Sequence, residues 1–163
     1  MIKLEELAKL AKVKSSDNKA FFRQLEKMDP RRLDGYFHEL HEEVFDEIDC
    51  LECGNCCSSL GPRISDVDVA RVSNALKVKP AKLMETYLRK DEDGDLVFRN
   101  MPCPFLQNDN YCSIYPDRPK ACREYPHTNR RRMYQILSLT LKNTHTCPAV
   151  FEITERLKLL VNK

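Results

Sequence analysis

Apolar residues in the first fifty positions recur every three or four residues, which is the period of an amphipathic helix. Three groups follow this period: Leu4, Leu7, Ala8 and Ala11; Phe21, Phe22, Leu25 and Met28; and Leu33, Tyr36, Phe37, Leu40, Val44, Phe45 and Ile48. Ser15 or Ser16 can cap the second group, and Asp29-Pro30 starts the third with a capping side chain and a proline. The pattern predicts three helices, the last of which ends at the first cysteine.

The helical period returns further along the chain. Ser65-Asp-Val-Asp68 predicts a capping box at the start of a helix that ends before Pro80, and a short helix is predicted from Ala81 to Lys90. The apolar face of the first of these is predicted to hold Val67, Ala70, Val72, Ala75 and Leu76. Arg130 to Leu141 and Ala149 to Val161 are predicted to be helical as well.

Residues 101–126 are rich in proline and lack the helical period. Two short strands are predicted here as a hairpin, in which one strand carries Cys103 and the other carries Cys112. A turn and a single turn of helix then carry Cys122. The sequence therefore predicts that this segment delivers three separate thiols from a compact, bent stretch of chain.

The sequence contains no internal repeat and no linker, so a single domain is predicted. Its parts are a helical N-terminal segment at 1–49, a cysteine-cluster core at 50–148 and a C-terminal helix at 149–163. An Asp93-Gly94 turn is predicted to lead into an extended Leu96-Val-Phe-Arg99. The fold class is mainly α with a small β-hairpin, in a single cysteine-rich metal-binding domain with helical N- and C-terminal segments.

Composition narrows the class of protein. The chain has 163 residues, 42% of them apolar and 32% charged, which is typical of a globular protein that can bury a core without disulfides. No apolar run approaches the roughly 18 residues of a membrane-spanning helix. The first twelve residues mix lysine with Glu5 and Glu6, unlike a signal or transit peptide. We therefore expect a cytoplasmic protein, in which reducing conditions favour metal-bound thiols over disulfides.

The eight cysteines carry the most specific chemical signal. They are Cys50, Cys53, Cys56, Cys57, Cys103, Cys112, Cys122 and Cys147. Cys-x-x-Cys spacing lets two sulfurs face one point while backbone N–H groups hydrogen-bond the thiolates, and Gly54 relieves crowding at the bend. All eight cysteines are therefore candidate metal ligands.

The spacing favours an iron–sulfur cluster or iron over zinc. A structural zinc site usually joins two Cys-x-x-Cys pairs, whereas this chain has one local run and four single cysteines. Three cysteines at two-residue intervals with a distant Cys-Pro, available at Cys103-Pro104 and Cys147-Pro148, are closer to an iron–sulfur pattern. Zinc is the alternative. The adjacent Cys56 and Cys57 are expected to diverge, so that they serve neighbouring centres or one of them is a buried thiol.

These motifs resemble the YkgJ-type cysteine-cluster family of zinc- or iron-chelating proteins. The shared features are the Cys-x-x-Cys-x-x-Cys-Cys run at 50–57, Cys103-Pro-Phe-Leu, Tyr111-Cys-Ser-Ile-Tyr115 and Arg118-Pro-Lys-Ala-Cys122-Arg-Glu-Tyr-Pro126, with Cys147-Pro148 as an extension. The resemblance implies that the first seven cysteines are the chelating positions. Flagellin lysine methylating proteins carry a similar cluster, so the resemblance also leaves open an enzyme that modifies protein side chains.

Basic residues beside the cysteines are candidate neighbours of the metal. Arg118 and Arg123 flank Cys122, where they could donate hydrogen bonds to sulfur and offset thiolate charge. The charge distribution agrees with this role, because residues 1–60 carry 13 acids against 9 bases and residues 99–163 carry 11 bases against 5 acids. The basic segment 99–163 therefore contains the four cysteines that lie outside the run at 50–57.

Three functions follow from these observations. The favoured one is a redox or accessory protein that holds an iron–sulfur or iron centre. The second is a structural zinc module that contacts a protein or nucleic acid, with Arg130-Arg131-Arg132 on phosphates, and the third is the modifying enzyme. No catalytic residue is assigned, and whether the protein is an enzyme stays open. A protein partner is left open, nucleic acid has little support because arginines that open a helix spread around it, and no membrane is expected.

Overall fold

The computed structural model describes residues 3–161, which are mainly helical with a two-stranded antiparallel sheet. The elements in chain order are α1 (Leu4–Val13), α2 (Ser15–Leu25), α3 (Pro30–Glu47), α4 (Cys50–Cys53), α5 (Asn55–Ser59), α6 (Asp66–Leu76), α7 (Pro80–Tyr87), β1 (Leu88–Lys90), β2 (Leu96–Phe98), α8 (Lys120–Glu124), α9 (Leu137–Asn143) and α10 (Pro148–Val161). Short 3-10 turns lie at Tyr115–Asp117 and Met133–Ile136. The predicted fold class is confirmed. In the described part of the chain, no helix combines the length and the apolar character that crossing a membrane requires.

Contacts between residues group the chain into two compact units. Within the described residues, the first unit comprises 3–49 and 126–161, and the second comprises 50–125. The N-terminal helices therefore share a core with the C-terminal ones. Seven of the eight cysteines belong to the second unit, and Cys147 belongs to the first. The single-domain organisation of the whole chain stays a prediction.

The core of the first unit forms around α3. The residues of α3 that the apolar period places on one face are buried there, namely Leu33, Phe37, Leu40 and Val44. They pack in one cluster with Ile153 and Leu157 of α10 and with residues of α2 and α9. Asp29 caps α3, because its carboxylate accepts hydrogen bonds from the backbone N–H groups of Arg31 and Arg32 at 3.1 and 3.0 Å. The three N-terminal helices are confirmed.

The helix predicted from Arg130 is wrong at its start. Arg130, Arg131 and Arg132 lie in an irregular loop, and helical structure begins only at Met133 as a 3-10 turn that continues into α9. The Asp34 carboxylate accepts hydrogen bonds from the backbone N–H groups of Arg132 and Met133 at 2.7 and 2.8 Å. Arg132 itself has a left-handed φ of 61°. Asp34 thus caps the turn from outside, and the helix cannot extend back through the arginines.

The capping box predicted at the start of α6 is present. The Ser65 hydroxyl accepts a hydrogen bond from the Asp68 N–H at 3.2 Å, and the Asp68 carboxylate accepts one from the Ser65 N–H at 3.0 Å. The predicted apolar face is partly wrong, because Val67 is 69% exposed whereas Asp68 is 1% exposed. The helix is rotated toward Asp68 because the buried carboxylate has a full set of hydrogen-bond donors, described below.

The hairpin lies upstream of the predicted position. β1 pairs with β2, with Leu88 opposite Phe98, and the two strands are joined through the predicted Asp93-Gly94 turn, in which Gly94 has a φ of 82°. The hairpin predicted around Cys103 and Cys112 is wrong: Leu106 and Cys112 form only an isolated bridge. Two prolines precede Leu106 in this segment, and prolines cannot donate to a strand ladder.

Candidate metal centre

Two short helices carry the first four cysteines. α4 begins at Cys50 and ends at Cys53, and α5 holds Cys56 and Cys57. Gly54 separates the two helices in the left-handed region, with a φ of 56°. Glycine adopts this conformation without the steric cost that a Cβ atom brings. The chain can therefore end α4 and begin α5 without an intervening loop.

The expectation that Cys56 and Cys57 diverge is wrong. Their Sγ atoms lie 3.9 Å apart. The expectation assumed extended backbone, whereas both residues lie on one turn of α5, where consecutive side chains are about 100° apart around the axis. Two thiolates bonded to one tetrahedral ion at about 2.3 Å are about 3.8 Å apart, so this pair has the spacing of two ligands of a single ion.

A second loop packs closely against the Gly54 bend. A Cβ atom added to Gly54 would lie 2.7 Å from Asn110 Oδ1 and 2.9 Å from Asn110 Cγ. The Asn110 side-chain amide donates a hydrogen bond to the Glu52 carbonyl at 3.3 Å, and Asn110 itself has a φ of 64°. The loop that precedes Cys112 is therefore attached directly to the segment that carries the first four cysteines.

Backbone hydrogen bonds attach Cys103 and Cys112 to the same region. The Cys103 N–H donates to the Cys57 carbonyl at 2.8 Å. Cys112 pairs with Leu106 in the isolated bridge, and both cysteines pack against the apolar cluster that contains Phe105 and Ile114. A packed apolar base thus supports these two thiols, which are partly buried.

A buried carboxylate anchors the segment that carries Cys122. Asp68 Oδ1 accepts hydrogen bonds from the Lys120 N–H at the start of α8, at 2.9 Å, and from Arg71 Nη1 at 3.0 Å. Arg71 Nη1 also donates to the Arg118 carbonyl at 3.2 Å. Burial alone would raise the pKa of Asp68, but the hydrogen bonds from Ser65, Lys120 and Arg71 hold it below its ordinary value. The sequence did not predict this contact because Asp68 and Lys120 are distant along the chain.

We expect Asp68→Asn to loosen the segment 118–122. The amide cannot accept from both the Ser65 N–H and the Lys120 N–H, and Arg71 loses its counter-charge, so the second unit should lose about 2–3 kcal/mol of unfolding free energy. Urea denaturation of the metal-free chain measures this loss. Because the folded pKa of Asp68 is depressed, its contribution is present above the ordinary aspartate pKa and disappears as the pH falls through the lowered value.

The matched control for this prediction is Asp66→Asn, since Asp66 is an exposed acid in the first turn of the same helix. The control removes the same charge near the helix N-terminus without touching the segment 118–122. Equal losses in the two variants would attribute the effect to helix-terminal charge and contradict the anchor.

Electrostatic interactions show that thiols from three chain segments share one region. Burial raises the pKa of Cys122 to about 12 and of Cys103 to about 11, and it also raises the pKa of Cys112. The charge of Cys57 adds to the increase at all three. The pKa of Cys57 is itself lowered to about 7, first by its hydrogen bond with Cys56 and then by the charge of Arg118, against the effect of burial. Thiolates here would repel one another, which is the situation that a bound cation relieves.

Arg118 is the cation of this region. Its charge lowers the pKa of Cys57 and offsets part of the increase at Cys112 and Cys122. Its guanidinium carbon lies 3.6 Å from the centre of the Tyr115 ring. The Arg118 Nε atom is buried and has no hydrogen-bond partner within residues 3–161. A sulfur acceptor in the thiol region would supply such a partner, since arginine has donors and no acceptor.

The other candidate residues are placed differently. Cys50 is exposed at the start of α4, and Cys53 is half-buried at its end. Cys147 lies in the first unit, partly buried against the core around α3. Arg123 is exposed on α8, and its role beside the thiols stays a prediction. All eight cysteines lie within the described residues.

The chemistry of this donor set fits a thiol-preferring metal ion. The Cys56–Cys57 spacing matches two ligands of one ion, four further cysteines lie in the same unit outside the exposed Cys50, and Arg118 offers an unused buried N–H. Within residues 3–161, no three Cys, His, Asp or Glu side chains are arranged to hold an ion as they stand. An ion that binds here therefore has to draw the thiols together.

Comparisons with known proteins identify the domain type. A family model named CxxCxxCC and described as a putative zinc- or iron-chelating domain matches residues 49–148. This range covers more than half of the chain and includes all eight cysteines. Searches among curated proteins and among solved structures gave no match.

Proposed function

This chain belongs to the CxxCxxCC family of zinc- or iron-chelating domains, and from that premise we propose that it binds iron, as an ion or an iron–sulfur centre, in its thiol pocket. We define the thiol pocket as the side chains of Cys53, Cys56, Cys57, Cys103, Cys112 and Cys122. The proposed role is redox or accessory, in the cytoplasm, where reducing conditions keep thiols free. Cys50 and Cys147 are proposed as additional ligands on the spacing of the sequence alone.

One observation carries the proposal: the charge of Cys57 raises the pKa of Cys103, Cys112 and Cys122, so thiols from three separate chain segments lie close to one another. Four thiols brought together and left without disulfides satisfy the ligand number of a tetrahedral iron or an iron–sulfur centre. The spacing of the cysteines, with one local run and four single cysteines, supports iron over zinc.

The side chains of the pocket have distinct tasks in this proposal. Cys57 supplies the first thiolate, because its lowered pKa of about 7 makes it the most easily deprotonated of these thiols and leaves about half of it ionised at neutral pH. Arg118 offsets thiolate charge and orients its Nε–H toward a sulfur acceptor, while Asp68 and Arg71 hold the backbone that carries Cys122. Iron held by thiolates supplies one-electron chemistry, whose potential depends on such hydrogen bonds.

Elemental analysis and an absorption spectrum on one oxygen-free preparation test the proposal. Iron in a fixed ratio to the chain, with visible absorption that bleaches on addition of dithionite, is the expected result. Material that contains neither iron nor zinc, and that takes up neither when supplied anaerobically, would contradict metal binding altogether. The full-length chain is the right sample, because two of the proposed ligands lie outside the thiol pocket.

Zinc is the second candidate, and the Cys56–Cys57 distance favours it. The 3.9 Å between these sulfurs corresponds to one edge of a four-thiolate zinc site. In that case the ion would serve to hold the loops of the second unit together. A colourless protein that contains zinc and unfolds on chelation would support this structural role over the redox role.

Metal affinity is expected to increase with pH. Cys103, Cys112 and Cys122 have raised pKa values and hold their protons at neutral pH, so they must release them on binding, whereas Cys57 is already about half ionised. About three protons should be released per ion at pH 7.5, and the affinity should rise by up to about a thousandfold per pH unit. Calorimetry in buffers with different ionisation enthalpies counts the protons. Metal uptake without proton release would contradict coordination by these three thiols.

A further inference from the structure

A loop outside the metal site is held in place by one face of α3. We call residues 128–132 the arginine loop. His41 Nδ1 and the Thr128 hydroxyl are hydrogen-bonded at 2.7 Å, and His38 Nε2 donates to the Arg130 carbonyl at 3.0 Å. Asp34, one turn earlier on α3, binds the N–H groups that end the loop. Asp34 and His38 therefore restrain the backbone of the arginine loop, and His41 holds the buried Thr128 side chain. The side chains of Arg130, Arg131 and Arg132 are exposed.

The three arginines of this loop are exposed, and none forms an ion pair in the described part of the chain. Within residues 3–161, no carboxylate forms an ion pair with Arg130, Arg131 or Arg132, and Arg130 makes only neutral hydrogen bonds, to the Arg131 carbonyl and to Gln135. Asp34 is the nearby acid, and its two oxygens accept backbone N–H groups. The loop thus carries three permanent positive charges without a paired anion.

Two other cations of the same unit form ion pairs that connect its helices. Arg156 contacts the carboxylates of Glu43, Glu47 and Glu152, and Lys158 contacts those of Asp17 and Glu155. These pairs connect helices to one another within the unit. Within the described residues, the arginine loop contributes no such ion pair, although hydrogen bonds with His38 and Asp34 hold its backbone.

An exposed aromatic ring follows the loop. Tyr134 is 46% exposed at the start of the 3-10 turn, whereas its neighbour Met133 is fully buried and fixes the turn in the core. Restrained arginines beside an exposed tyrosine combine the two requirements for binding a single strand of nucleic acid, namely cations for the phosphates and a flat surface for an unstacked base. A duplex keeps its bases stacked and would leave Tyr134 unused.

We propose that the arginine loop and Tyr134 form a binding site for single-stranded nucleic acid, with the guanidinium groups on phosphates and the tyrosine ring under a base. This site does not depend on the metal, since none of its residues is among the proposed metal ligands. It reverses the weak expectation from sequence, which assumed that the arginines spread around a helix. The loop instead presents them from one restrained segment.

Fluorescence anisotropy with a labelled oligouridylate and the full-length chain tests the site. We expect binding that weakens steeply between about 50 and 200 mM salt. Replacing all three arginines with alanine should lower the affinity at least tenfold and reduce the slope of log affinity against log salt by about two. Tyr134→Ala should lower the affinity by about tenfold and leave that slope unchanged, because a stacking contact releases no counterions.

The matched control replaces Lys19, Arg23 and Lys27 with alanine, which removes three exposed positive charges from another surface of the same unit. This variant should bind nearly as well as the unaltered chain. An equal loss in the control would show that net charge alone drives binding and would overturn the proposal. So would failure to bind at the lower salt concentration, or binding to heparin or duplex RNA that is as tight as binding to the single strand. Circular dichroism confirms that each variant is folded before it is compared.

Discussion

Cys57→Ser is expected to lower metal affinity by roughly a hundredfold or more, since a neighbour of a ligand alone typically contributes tenfold to a hundredfold. Cys57 is the thiol that is connected to Cys56, Cys103, Cys112 and Cys122. Its Sγ lies 3.9 Å from that of Cys56, its carbonyl accepts the Cys103 N–H, and its charge affects the pKa of Cys103, Cys112 and Cys122. It is also the thiol whose pKa is lowered to about 7. A serine hydroxyl keeps its proton and is a poor ligand for a thiol-preferring ion.

Titration of the metal-free variant with ferrous iron under anaerobic conditions, followed by competition with a chelator, measures the change. Ser59→Ala is the matched control, because Ser59 lies on the same short helix and its hydroxyl donates only to the Asn55 carbonyl. The control should bind as tightly as the unaltered chain. Unchanged metal affinity of Cys57→Ser would show that Cys57 is not a ligand, and it would contradict the proposed thiol pocket.

Cys147→Ser, measured in the same way, tests the ligand that only the sequence suggests. Cys147 packs against the core of the first unit, so serine there should cost stability through the loss of apolar contact. Loss of metal affinity equal to that of Cys57→Ser would add Cys147 to the centre. Metal affinity that is unchanged would assign this thiol to the core alone.

Local patterns predicted the local elements well. The apolar period predicted α1, α2 and α3, and the Asp29 cap and the Ser65 capping box follow from side chains within three residues of the backbone groups they bind. Such contacts can be read from sequence because the partners are neighbours along the chain. The Asp93-Gly94 turn belongs to the same class.

Contacts between distant residues could not be predicted in this way. The Asp68 carboxylate binds the Lys120 N–H across 52 positions, and Asp34 binds the Arg132 N–H across 98. Each of these acids has the spacing of an ordinary surface residue in its own helix. Their role depends on a backbone N–H group of a distant segment. The spacing of residues in a single sequence does not predict which distant segments come into contact.

The orientation of Cys56 and Cys57 was mispredicted for a different reason. Cys-x-x-Cys motifs were treated as extended or turning chain, in which adjacent side chains alternate. The left-handed Gly54 ends α4 and allows α5 to begin immediately, so both thiols lie on a helical turn. One glycine conformation therefore decides whether the pair can serve a single ion.

Gly54→Ala is expected to destabilise the second unit and to weaken metal binding together. A residue with a Cβ atom at a φ of 56° costs about 1–2 kcal/mol relative to glycine. The added methyl would also lie 2.7 Å from Asn110 Oδ1, so the loop before Cys112 must move away from the Glu52 carbonyl to which Asn110 donates. Because that movement displaces Cys112 from the Cys56–Cys57 pair, metal affinity should fall by at least tenfold.

A double-mutant cycle with Asn110→Gly separates the two causes of this loss. Asn110 has a φ of 64°, so glycine relieves its own backbone strain and removes the atoms that the methyl would meet. Compared with Asn110→Gly alone, which already lacks the hydrogen bond to the Glu52 carbonyl, the double variant should therefore lose only the backbone cost at position 54. The coupling energy from urea denaturation should favour the pair by about 1 kcal/mol or more. Gly35→Ala is the control, because no atom lies within 4 Å of the added methyl and α3 is helical there. Additive effects of the two changes would mean that the Asn110 side chain moves aside without cost, and the close approach of the two loops would then have no part in holding the thiols together.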